Sequence, residues 1–178
     1  VAPILESSLM LHEGASKSTD LERLHGYAKV ILNHRGLEAG DVLVVASNSG
    51  RNPLPVELAI EAKNRGVKVI AMLSLEHANR VVSRHASGKK LYEVADIILD
   101  NKAPYGDAVV SFGEFVPKAG PVSTITGCFI LNCIIVEAIG ILIESGEEAP
   151  VFVSSNIDEG DKCNYKQIEC FKRRIQHL

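Results

Sequence analysis

The sequence predicts an α/β fold built on a mostly parallel sheet, and three observations carry this. Short β-branched runs alternate with longer segments of helical periodicity, the pattern of strands joined by right-handed helical crossovers. The run Val42-Leu43-Val44-Val45-Ala46 is continuously apolar, as a strand covered on both faces requires. Aromatic residues make up only 5% of the chain and Trp is absent. The core must therefore be built from Val, Ile, Leu and Ala, which suits a sheet packed between helices.

The elements follow in order. Thr19-Asp20 is an expected N-cap, with Leu21, Leu24, Ala28, Ile31 and Leu32 at helical spacing behind it. This helix is expected to stop near Gly36. After the turn Glu38-Ala39-Gly40-Asp41, residues 42–46 form the first strand. Pro53 opens a helix that runs to about Arg65, and Gly66 closes it, the favoured asymmetry of Pro at the start and Gly past the end. Residues 67–73 are a second strand. Residues 74–90 read as a polar loop with one helical turn. Residues 91–95 end a short helix, residues 96–100 form a third strand, and residues 108–110 a short edge strand. A long apolar helix is expected from Ser123 to about Ser145. Residues 150–154 read as a late strand or extended segment, and residues 161–175 as a charged terminal helix.

Composition narrows the function classes. The 178 residues suffice for one domain with a sizeable core, and a hydrophobic fraction of 46% argues against disorder. A net charge of −3 gives no global electrostatic case for a nucleic-acid partner. Cys128, Cys133, Cys163 and Cys170 include no Cys-x-x-Cys pair, and a domain of this size needs no disulfides. Reduced thiols in a cytoplasmic protein are the expectation. No basic-then-apolar leader is visible at the start. The apolar stretch 127–143 contains Asn132 and Glu137 and falls short of the roughly 20 residues of a span. It is expected to be a buried helix, with no membrane partner. Glu137, inside it, is expected to be paired or to reach the site, because an isolated buried charge is costly.

Chemistry is expected after Ala46, because ligands of open α/β sheets bind at the carboxyl ends of strands. Ser47, Asn48, Ser49 and Asn52 are small hydrogen-bonding residues. Gly50 permits backbone conformations closed to other residues, and the helix opening at Pro53 favours an anion. Arg51 adds charge or points to solvent. The bland alternative is a capped connection rich in turn formers. The loop is neither a Walker loop nor Gly-x-Gly-x-x-Gly, which disfavours a dinucleotide.

The run Ser47-Asn48-Ser49-Gly50-Arg51-Asn52, between residues 42–46 and a helix followed by Gly66-Val67-Lys68-Val69-Ile70, resembles the sugar isomerase (SIS) domain. That family's hallmark is Ser-x-Ser-Gly-x-Thr/Asn in this setting. The resemblance is specific over roughly residues 40–75 and looser over residues 91–96 and the helix opening at Ser123. An uncharacterised bacterial, phosphoheptose-isomerase-like branch is the nearest in kind. The resemblance implies a flavodoxin-like three-layer sandwich with a five-stranded, mostly parallel sheet, one SIS domain over residues 1–178, and a phosphorylated sugar as ligand. It implies that Ser47, Ser49 and Asn52 contact phosphate. Ser123 and Thr124, with Thr126 behind them, are further matching positions; the plain alternative for Ser123 is an N-cap. SIS domains usually begin with a helix and a first strand ending in a Gly-x-Gly-x-Ser-like loop. Residues 1–40 contain nothing of that form, so the chain is expected to lack its N-terminal helix and first strand, roughly one βα unit of about 30 residues. The family also implies pairing through helices, hence a homodimer or homotetramer.

Isomerising a sugar phosphate needs a base that moves a proton between adjacent carbons. Glu6, His12, Glu13, His77 and His85 are the candidates. Glu13, with His12 beside it as proton shuttle, is preferred, because SIS isomerases place a Glu between their first two strands; a solvated surface pair is the alternative. The basic run 83–90 either covers a second anionic group or is solvated. His12, Glu13, His77 and His85 have no metal-ligand spacing, so neither metal nor cofactor is expected. Asn156-Ile157-Asp158 is a further candidate for contact with ligand or partner. Three functions compete: a phosphosugar isomerase or related lyase, a non-catalytic phosphosugar sensor, and an interaction protein with a degenerate loop. The intact Ser47, Ser49 and Asn52 weigh against the last.

Overall fold

A computed structural model describes residues 1–175. They fall into two compact units: Ile4–Ile130, and a second comprising Val1–Pro3 with the residues from Leu131 onward.

The first unit opens with two 3-10 turns, Ser7–Leu9 and Leu11–Glu13. Helices α1 (Ala15–Glu22) and α2 (Tyr27–Asn33) follow. Strand β1 (Val42–Ala46), helix α3 (Pro53–Asn64) and strand β2 (Lys68–Leu73) make the central βαβ unit. Short helices α4 (Leu75–Asn79) and α5 (Leu91–Val94) lead to strand β3 (Ile97–Asp100). Strands β1, β2 and β3 form one parallel sheet in that order, with Val45 opposite Ala71 and Ala71 opposite Ile98. The fold is the α/β, SIS-like class expected, with three parallel strands where the resemblance implies five.

Strand alternation puts Val45, Val69, Ala71 and Leu73 in the core with Ala59 and Ala62 of α3, Leu91 of α5 and Leu32 of α2. Ala28, Ile31 and Leu54 form a second cluster where α2 meets α3. Small Ala side chains on α3 let the helix approach the sheet closely. The other face of the sheet is open: Val42 is 60% exposed and Ile97 is 53% exposed. Its apolar residues explain why the sequence reads as a strand covered on both sides.

Three elements differ from the sequence reading. The single first helix is two, broken at Gly26 with φ 81°. Long-range bonds replace helical continuation there: the Gly26 N–H donates to Glu57 Oε2 at 2.7 Å. Residues 108–110 belong to a full antiparallel hairpin, β4 (Ala108–Phe112) with β5 (Phe115–Pro121). The second strand was hidden by its Pro and Gly residues.

The long helix α6 (Ser123–Glu144) has the expected bounds but not the expected burial. Gly127 is its buried residue, and a Cβ there would lie 3.2 Å from Met72 Cε. Its most apolar 18-residue window has a mean hydropathy of 2.2 and is 6% buried, so the helix is long and apolar enough to cross a membrane. Glu137 is likewise exposed rather than buried. Among the described residues the apolar side chains Ile125, Phe129, Val136 and Ile143 of α6 are exposed.

In the second unit, residues 150–154 form the extended segment that was one of the two expectations, and no strand among the described residues pairs with them. The Asn164 side chain of helix α7 (Gly160–Phe171) takes a strand's place. It accepts from the Val153 N–H at 2.9 Å and donates to the Val153 carbonyl at 2.8 Å.

Candidate functional site

The loop 47–52 leaves the carboxyl end of β1 and is pinned through its carbonyls. The Ser47 N–H extends the sheet ladder to the Met72 carbonyl at 3.0 Å, and the Gly50 N–H closes a turn onto the Ser47 carbonyl. The N–H groups of Ser74, Leu91 and Arg84 donate to the carbonyls of Asn48, Gly50 and Arg51. With the carbonyls turned outward and held, the N–H groups of Asn48, Ser49, Arg51 and Asn52 take part in no backbone hydrogen bond among the described residues. Successive free N–H groups in a turn form an anion-binding concavity. The Ser47 and Ser49 hydroxyls also carry no hydrogen bond to another described residue.

Gly50 is a requirement of this geometry. Its φ is +57°, and a Cβ would lie 3.1 Å from Leu91 Cβ. The helix behind the loop contributes less than its position promises. Pro53 and Pro55 both lie in the first turn of α3, so two of its four terminal donors are missing. The grip rests mainly on the loop.

Two guanidinium groups supply charge. Arg84 Nη1 donates to Asn52 Oδ1 at 2.9 Å. Desolvation and then the nearby Arg51 charge push the Arg84 pKa below its ordinary value. Two cations that repel each other beside free N–H groups favour an anion between them. Arg51 Nε is buried without a partner among the described residues. Arg84 is thus a neighbour of the loop. Lys90 is instead structural, donating to the Ala78 carbonyl at 2.6 Å.

Sequence reasoning missed two supports. Asn101, 5% exposed at the end of β3, donates to Asn48 Oδ1 at 3.1 Å. Asp107 takes the opening of α6. Its Oδ1 accepts from the N–H groups of Val122 and Ser123, and the Ser123 hydroxyl donates to its Oδ2 at 2.6 Å. Burial raises the Asp107 carboxyl pKa, but the Ser123 and Val122 bonds outweigh it and hold it below the ordinary value. The helix end where Ser123 was expected to meet phosphate is occupied by a carboxylate. Thr124 is exposed, and Thr126 donates back to the Val122 carbonyl at 3.1 Å. No local spacing pointed to Asp107, which lies 16 residues from Ser123.

The other candidates are dispersed. Glu13 pairs with Lys17 at 2.7 Å, and the bonds from Lys17 and then Ser7 hold its carboxyl below the usual range. His12 is exposed beside it. No hydrogen bond among the described residues joins either to the loop. Glu6 accepts from Ser8 and Tyr27, both at 2.9 Å, and is a structural anchor. The His77 ring stacks near Tyr105, with centroids 5.1 Å apart. Asn156, Ile157 and Asp158 are exposed in the second unit.

His85 has titratable neighbours. His25 Nδ1 lies 2.8 Å from Glu57 Oε1, and His85 Nε2 lies 3.7 Å from the same oxygen. Glu57 stands on α3 just beyond the loop.

Comparison with known proteins agrees with this geometry. The family model described as the SIS domain matches residues 1–74. A UPF0309 protein of Halalkalibacterium halodurans is 49% identical over 166 residues, covering 93% of this chain and 69% of that protein. One of Geobacillus kaustophilus is 43% identical over 178 residues, covering 100% of this chain and 71% of its own. A third, of Caldanaerobacter subterraneus subsp. tengcongensis, is 44% identical over 180 residues, covering 100% and 73%. The chain belongs to the UPF0309 family of SIS-domain proteins.

Proposed function

We propose that this protein binds a phosphorylated sugar in the cytoplasm and acts as an aldose–ketose sugar-phosphate isomerase or on a related carbohydrate derivative. The observation that carries this is the loop 47–52. Its free N–H groups, the Ser47 and Ser49 hydroxyls and the neighbouring positive charges of Arg51 and Arg84 suit a phosphate in charge and hydrogen bonding. The reaction is redox-neutral. A base removes the proton on the carbon beside the carbonyl and returns one to the neighbouring carbon, so no cofactor is needed. Glu13 with His12 is the proposed base. Ser123 and Thr124 are the further candidate contacts in this reading, and Ser123 reaches a phosphate only by releasing Asp107.

A second reading is a sensor that binds without turnover. The Glu13–Lys17 pair favours it, because a carboxylate held ionised by a lysine is a weakened base. We further propose that the exposed apolar surface of α6 is covered in a homodimer or homotetramer.

Thermal shifts and calorimetry with a panel of sugar phosphates test the binding. A ligand at about 100 times its Kd stabilises by about 2.7 kcal/mol. Ser49→Ala should weaken binding about 10- to 100-fold, the worth of one hydrogen bond to a charged group. If no sugar phosphate shifts the wild type, the proposal fails. Turnover that is lost in Glu13→Gln supports the isomerase. Binding with no turnover selects the sensor, and turnover intact in Glu13→Gln removes Glu13 as base.

A further inference from the structure

We propose that His25, Glu57 and His85 form a site for one divalent first-row transition-metal ion of the kind held by nitrogen and oxygen ligands. The three ligand atoms all lie within 4.8 Å of one another. Their spacing brackets the roughly 3.3 Å that separates neighbouring ligands of a tetrahedral zinc with bonds of about 2.0–2.2 Å. Two imidazoles and one carboxylate suit zinc, iron, cobalt or nickel rather than magnesium or calcium, which take oxygen ligands. Three protein ligands leave a position open to a water or a small molecule.

The fold brings these residues together by three separate devices. The break between α1 and α2 brings His25 beside Glu57, with Nδ1 2.8 Å from Oε1. Glu57 stands one turn into α3. His85 is carried by the segment that Arg84 fastens to the loop through the Arg51 carbonyl at 2.8 Å. Outer partners orient two of the ligands. The Gly26 N–H holds Glu57 Oε2 at 2.7 Å, which leaves Oε1 facing both imidazoles. His85 Nδ1 lies 2.7 Å from Ser87 Oγ. In the tautomer with the proton on Nδ1, that hydroxyl accepts it and the Nε2 lone pair is free, the second-shell arrangement usual for a metal-bound histidine. In the other tautomer Nδ1 accepts, and the Ser87 N–H donates to it at 3.3 Å. His85 and Glu57 side chains are 13% and 16% exposed, whereas His25 is 52% exposed. The site is therefore seated at the surface, with His25 as its outer ligand. The site does not depend on a sugar phosphate binding to the loop.

The test uses the full chain freed of metal with a chelator, titrated with Zn2+ by calorimetry and with Co2+ by visible absorption. Wild type should take up one ion per chain, with cobalt bands free of thiolate charge transfer. His25→Ala, Glu57→Gln and His85→Ala should each weaken uptake by at least about tenfold, since loss of an outer partner alone costs about 10- to 100-fold. His25 is exposed, so its variant is expected to fold, and circular dichroism checks the other two. No stoichiometric uptake by the wild type overturns the site. So does uptake undiminished in folded His25→Ala, or thiolate bands that move the metal to the cysteines. Metal uptake without any sugar-phosphate shift would keep this site and sink the proposed function; a sugar-phosphate shift in metal-free protein would do the reverse if uptake fails.

Discussion

Gly50 shows how one residue fixes the loop. Its left-handed backbone is open to glycine at little cost, and its missing side chain lets Leu91 pack against the turn. Gly50→Ala places a methyl group 3.1 Å from Leu91 Cβ as well as in an unfavourable φ. The backbone alone costs about 1–2 kcal/mol. For a chain of this size that is a fall in Tm of roughly 2–8 °C, measurable by scanning calorimetry. Sugar-phosphate affinity should fall with it, because the Leu91 N–H must move from the Gly50 carbonyl that it holds. A variant with unchanged Tm would mean that the turn does not need its left-handed residue.

At the scale of elements, the sequence was most legible where local rules and tertiary needs coincide. The strand over residues 42–46 and the helix after Pro53 have the predicted places because β-branched runs and the Pro-to-Gly asymmetry specify them locally. The place of the loop 47–52, between that strand and that helix, was legible for the same reason. What escaped is held by distant partners. The break at Gly26 depends on Glu57, the extended segment at Val153 depends on Asn164, and the opening of α6 depends on Asp107. The halves of these pairs lie 31, 11 and 16 residues apart, beyond the reach of turn and capping rules. The last one is testable. Asp107 titrates from a depressed folded value towards its ordinary 3.8 in the unfolded chain. A depressed carboxyl stabilises above the unfolded value and loses that contribution as pH falls through the folded one. Asp107→Asn should therefore cost about 1 kcal/mol near neutrality, the usual worth of a helix cap. The gap from wild type should narrow below about pH 4. Denaturant titrations across pH measure it, and a gap that stays constant into acid would show that the ionised carboxylate contributes nothing.

At the scale of the whole molecule, the proposed assembly rests on the surface of α6. Ile125 is 70% exposed, Phe129 69%, Val136 67% and Ile143 62%. With Asn132 and Ile139 these residues step along the helix at alternating intervals of four and three, the seam of a coiled coil. A seam this apolar is covered either by lipid or by another helix. Asn132 sits on the seam itself, a polar residue of the kind that fixes register between paired helices at a cost in stability. In a bilayer core Asn132 and the nearby Glu137 would each carry a penalty, Glu137 the larger. Helix pairing between copies is thus the expected cover, and two changes on the seam test it. Phe129→Glu with Val136→Glu would place charges at the centre of an apolar interface, where each is expected to cost about 2 kcal/mol or more. Light scattering on wild type should give a dimer or tetramer, and the double variant should be a soluble, folded monomer. A wild type that is monomeric without detergent would remove the assembly. A wild type that stays in the membrane fraction until extracted by detergent would give the seam to lipid instead.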